Sequence, residues 1–145
     1  MSANPDLAWV AERLDETPHP EDEASIRRCL HDYFDGWFAG DPERMARALH
    51  PRLSKLAIDQ DRDRSGVDVT TRDEMVEATV LGLGRARDLP DRAIRIEVTG
   101  VAGNIASATV RSAVYTEFVL LARDDGRWLI TSTVWRWAPG HGPRR

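Results

Sequence analysis

Apolar side chains recur at helical spacing between Asp22 and Ala39: Ile26, Cys29, Leu30, Tyr33 and Trp37 fall on one stripe. Gly40 suits a left-handed helix stop, and Asp41 with Pro42 supplies a cap and a first turn for a second helix ending near His50, before Pro51. "LSKLAIDQD" then alternates as a strand, and "VDVTT" predicts another. Thr71 and Glu74 have the spacing of a capping box, opening a third helix to about Leu83. The remainder reads as strands. "AIRIEVTGV" alternates, Gly103-Asn104 turns, "IASATVRSAVYTEFVLLAR" predicts one long bent strand, and "DDG" turns into a last strand, "RWLITSTVWRWAP". Simple alternation puts Trp135 and Trp137 on one face of that strand and Trp128 on the other.

Upstream, Leu7, Val10 and Leu14 predict a short helix, followed by the acidic, Pro-containing linker "DETPHPEDE". The expected organisation is an N-terminal helix and linker over 1–20, one domain over 21–139 and a disordered tail over 140–145. Helices followed by an antiparallel meander give an α+β class.

Composition narrows this further. The 145 residues suit a single core, and a net charge of −4 gives no basic footprint for nucleic acid. The chain has 19 arginines and one lysine, Lys55, a bias that reads first as codon usage. One cysteine, Cys29, excludes an intrachain disulfide and belongs to the apolar stripe, hence a buried thiol. The N-terminus lacks a signal-peptide pattern and no stretch approaches the roughly 20 apolar residues of a membrane span, so a cytoplasmic location is expected. No spacing suits a metal or a phosphate loop, and no cofactor is expected.

The order of these elements, with "YFDGWFAGD" (33–41), "LHP" (49–51), "IEVTGVAGNIASATV" (96–110) and "EFVLLARDDGRWLI" (117–130), resembles the nuclear transport factor 2-like superfamily, and most its lumazine-binding-like branch. The resemblance implies a cone-shaped, curved antiparallel sheet wrapped around the long helix, three long final strands, a partly apolar pocket and pairing of two chains through the outer sheet. The superfamily holds isomerases, cyclases and dehydratases beside pure binding and assembly modules, so fold alone does not give function. By comparison with ketosteroid isomerases, Tyr33, eight residues before Asp41, matches an oxyanion donor. Glu117 approximates the second donor, while Ala57 stands where the general base is expected and Asp59 lies two residues on.

The candidate site is therefore Tyr33, Trp37, Asp59, Glu117 and Trp135, with His50 as a further acid or base. Each has a plainer reading. Tyr33 and Trp37 could be core, Asp59 a strand end, Glu117 half of an ion pair with Arg111 or Arg136, and His50 a helix-end charge. A cavity around Tyr33 and Glu117 predicts that Tyr33→Phe leaves stability nearly unchanged. The expected role is binding of a small, partly apolar molecule by a homodimer. A cofactor-independent isomerase, cyclase or dehydratase is the alternative, with Tyr33 and Glu117 as donors and Asp59 or His50 as base. A dimeric assembly module without a ligand is the third reading.

Overall fold

The computed structural model describes residues 19–58 and 67–142. The expected N-terminal helix, Asp59 and the last three residues lie outside them. Helix α1 spans Asp22–Ala39, α2 Pro42–Ala48 and α3 Arg72–Val80; the strands are β1 Leu49–Ile58, β2 Val67–Thr70, β3 Arg95–Ala102, β4 Ile105–Arg111, β5 Tyr115–Asp124 and β6 Arg127–Trp137. The six strands form one curved, open sheet in the order β2-β1-β6-β5-β4-β3, with every pair antiparallel except β1 and β6.

Local chemistry explains the helix ends. Gly40, at φ 69° and ψ 36°, closes α1 through its N–H to the Gly36 and Trp37 carbonyls. Asp41 accepts from the Glu43 and Arg44 backbone N–H groups and starts α2. Both halves of the Thr71–Glu74 capping box are formed. Helix α2 stops at Ala48 rather than near His50, because Leu49 is already extended and begins pairing with Ile130.

Two strand expectations need correction. The predicted long bent strand is two strands, so the meander has four strands rather than three. The Ser112 hydroxyl accepts the Val114 and Tyr115 N–H groups and turns the chain without glycine or proline. The second correction is a β-bulge at Thr131. Leu121 pairs with Ile130 but Leu120 pairs with Ser132, leaving Thr131 as an extra residue. Strand alternation is reset there. Trp128, Trp135 and Trp137 face Arg123, Glu117 and Tyr115, all of one parity, so the three tryptophans share the concave face.

That face packs on α1. Ile26, Leu30, Phe34 and Phe38 from the helix meet Val110, Val119, Leu121 and Ile130 from the sheet, all fully buried. At the N-terminal end of α1, Asp22 is buried and accepts from Trp128 Nε1 at 3.0 Å and Arg123 at 2.9 Å. Burial alone would raise its pKa. The Trp128 and His19 hydrogen bonds and the Arg123 charge outweigh that and hold it below the usual carboxylate range.

Candidate functional site

Toward the other end, the helix and sheet diverge around a cavity of about 440 Å³. Tyr33, Phe34 and Trp37 project into it from successive turns of α1. Tyr115 and Glu117 come from β5, Trp135 and Trp137 from β6, and Lys55 from β1. Met75 and Ala78 of α3 close one side, and Leu83, Ala86 and Arg87 stand beyond α3. Leu83 and Ala86 are exposed and Arg87 is half-buried, so this segment forms the rim.

Gly84 fixes the rim. A Cβ there would lie 2.4 Å from the Trp37 carbonyl oxygen and 2.5 Å from its indole, so only glycine lets the segment approach Trp37 this closely. Trp37 in turn donates from Nε1 to the Tyr115 hydroxyl at 3.1 Å. Tyr115, Trp135 and Trp137 form a mutually contacting aromatic wall, with ring centroids 5.1–5.3 Å apart. The Arg87 guanidinium sits over Trp137, 4.5 Å from the ring centroid.

The polar part of the cavity is a cluster of three side chains. Tyr33 OH donates to Glu117 Oε2 at 2.8 Å, Lys55 Nζ donates to the Tyr33 oxygen, and Lys55 Nζ lies 3.5 Å from Glu117 Oε1. Tyr33 and Glu117 are each 2% exposed and Lys55 8%. Strand geometry accounts for the convergence. Leu53, Lys55 and Ala57 are the buried parity of β1. Ala57 pairs with Trp135 and Trp135 with Glu117, so Lys55 occupies the neighbouring inward row, with Thr133 and Val119, and reaches across to the carboxylate.

Burial lowers the Lys55 pKa from its ordinary value, against the pull of the Glu117 charge and hydrogen bond. Burial and the adjacent Glu117 carboxylate raise that of Tyr33 well above the usual phenol value. Tyr115 is also raised, chiefly by burial. Cys29, by contrast, is buried away from the cavity, with its Sγ against the Ala48 carbonyl. Burial, with the Asp32 charge, pushes its thiol up to about 12, which leaves it unreactive.

Tyr33, Trp37, Glu117 and Trp135 are thus brought together. Glu117 pairs with Lys55, not with Arg111 or Arg136. His50 is not a wall of the cavity; its Nε2 lies 2.9 Å from Asp124 Oδ2, beside the Asp125–Gly126 hairpin. The Ala57 position supplies no carboxylate, and two residues before it the same face carries an amine instead. Sequence reasoning missed Lys55 in the polar cluster, and Tyr115 and Trp137 in the wall. For Lys55 the available signal was a lone lysine at an inward parity in a chain that otherwise uses arginine. Among the described residues no cluster of His, Cys, Asp and Glu could hold a metal, and no helix is long and apolar enough to cross a membrane.

The family model described as "putative lumazine-binding" matches residues 21–136, and the chain belongs to that family. Its fold is that of the nuclear transport factor 2-like superfamily. A nuclear transport factor 2-like protein of unknown function from Shewanella baltica is 17% identical, with a TM-score of 0.67 over 86% of this chain and 99% of that one. One from Silicibacter pomeroyi is also 17% identical, with a TM-score of 0.63 over 81% and 97%. A ketosteroid isomerase-like protein from Erwinia carotovora atroseptica is 18% identical, with a TM-score of 0.59 over 83% and 100%. No curated protein matches.

Proposed function

We propose that the chain binds a small, planar, partly apolar molecule in the cone. The observation that carries this is the pairing of an aromatic cavity with a single buried polar cluster, Tyr33–Lys55–Glu117. Aromatic walls give face-on contact to a flat ring system, and the cluster offers both donors and an acceptor to one edge of it. Trp137 lines the same cavity, and its buried Nε1 has no hydrogen-bond partner among the described residues. The family description points to a flat heterobicycle, lumazine, as the first ligand to try.

Titration of the protein with lumazine and with naphthylmethanol, read by tryptophan fluorescence, tests the reading. Trp37, Trp135 and Trp137 all line the cavity, so occupancy should quench emission saturably. No saturable quenching by either compound would overturn it.

Convergence of titratable groups with shifted pKa values in one cavity also favours a second reading, a cofactor-independent isomerase, cyclase or dehydratase. There Tyr33 and Lys55 stabilise a developing oxyanion and Glu117 accepts the proton. Solvent deuterium should wash into an enolisable ketone, and Glu117→Gln should abolish it. The proposal includes a homodimer through the convex sheet face. There Val69, Leu56, Val134 and Phe118 stand in one row across four strands, with Phe118 58% exposed.

A further inference from the structure

The geometry points to Lys55 as an imine-forming residue, its amine condensing with the carbonyl carbon of an aldehyde or ketone ligand held in the cavity; the inference rests on the binding reading above. Two features place the amine for this chemistry. Lys55 lines the cavity, and its Nζ lies 4.9 Å from the Tyr33 centroid and 5.3 Å from that of Trp135. A flat carbonyl compound lying on that wall presents its carbon to the amine. A proton acceptor stands beside it, Glu117 Oε1 at 3.5 Å, and the Tyr33 hydroxyl bridges the two groups. The residue is also the chain's one lysine. A guanidinium stays protonated and cannot serve as the nucleophile, whereas a buried amine can lose its proton.

The groups facing Lys55 are Tyr33 from α1 and Glu117 from β5. Tyr115 lies further along the wall and Arg87 stands at the rim. Burial outweighs the carboxylate and lowers the amine's pKa, which raises its neutral fraction at pH 7.

The step balances without a co-reactant. The Lys55 ammonium passes a proton through Tyr33 to Glu117. The freed lone pair forms the N–C bond while the carbonyl π pair moves to oxygen, which takes that proton back through Tyr33. The nitrogen then returns one of its protons to Glu117, giving a neutral carbinolamine. Its lone pair expels the hydroxyl group, which leaves as water with the Glu117 proton. Ammonium and carbonyl have become a protonated imine and water, with the carboxylate unchanged.

The test is incubation of the full chain with naphthaldehyde and borohydride, followed by peptide mapping. The sequence makes the map unambiguous, because Lys55 and the α-amino group are the only amines that can give a reducible imine. Acetyl-lysine in solution is the rate reference. The expected result is an adduct on the Lys55 peptide, formed faster than on acetyl-lysine. No adduct at Lys55, or one no faster than the reference, while naphthylmethanol still quenches saturably, overturns the imine and leaves the pocket standing. Loss of both quenching and adduct removes the pocket and the imine with it.

Discussion

The Tyr33 hydroxyl and the Glu117 carboxylate, 84 positions apart in the chain, meet at 2.8 Å inside the cone, and Lys55 completes the contact from a third element. Tyr33 is therefore both pocket wall and part of a buried network. The expectation that Tyr33→Phe leaves stability untouched does not follow from this geometry. The substitution removes the donor to Glu117 and the acceptor for Lys55, and should cost about 1–3 kcal/mol by denaturant unfolding. It should also change the affinity for naphthylmethanol. A neutral effect on both would separate Tyr33 from the site.

Removing one charge of the Lys55–Glu117 pair should hurt more than removing both. Glu117→Gln leaves a buried ammonium without its carboxylate, at a cost on the order of 3–5 kcal/mol. Lys55→Met combined with Glu117→Leu should recover most of that loss, since apolar groups can replace a buried pair at little net cost. Unfolding of the two single variants and the double variant measures the difference. A double-variant loss equal to the sum of the two single losses would mean that the pair is not coupled.

The Lys55 amine also predicts a pH slope. Its pKa is lowered on folding, so the unfolded chain binds the extra proton between the lowered value and about 10.4. Stability contributed by this group rises with pH across that window. Tyr33 acts oppositely, its raised pKa costing stability only above about 10. Urea unfolding from pH 7 to 10 should show a rising contribution that Lys55→Met abolishes.

At the opposite end of the core, Asp22 gives an acid-side signature. Its folded pKa is depressed, so its stabilisation is complete above about 3.9 and is lost as pH falls through the lowered folded value. Asp22→Asn should lower stability at pH 7, and the difference from wild type should shrink as the pH is taken below about 4. A difference that stays constant with pH would assign the loss to shape rather than charge.

The convex face carries the last prediction. Light scattering at micromolar concentration should give twice the chain mass, and Phe118→Asp, at the β5 end of the Val69–Leu56–Val134–Phe118 row, should give a monomer. A monomeric wild type would remove the dimer.

The parts of this fold that were legible in the sequence are those governed by local chemistry. The α1 stripe, the Gly40–Asp41–Pro42 junction and the Thr71–Glu74 box each declare themselves within a few residues. Tyr33, Trp37 and Glu117 were legible as candidates because an aromatic stripe and a lone carboxylate in an apolar strand both call for explanation. The Ser112 turn was not, since it uses a serine hydroxyl where a glycine or proline would have been visible. Lys55 was obscured because its partner lies on a strand 62 residues away, and only the sheet order brings β1 within reach of β5.

The bulge at Thr131 acts as a frameshift within one strand. Before it, Trp128 and Ile130 belong to the interior; after it, Thr133, Trp135 and Trp137 do, on the opposite parity. Removing that one residue while the first half stays in register would exchange the two sides of everything downstream. Trp135 and Trp137 would move to the convex face, and Val134 and Arg136 to the cone. A cavity wall and an outer sheet face are thus written on alternate letters of the same segment, and a single spacer decides which message is read on which side.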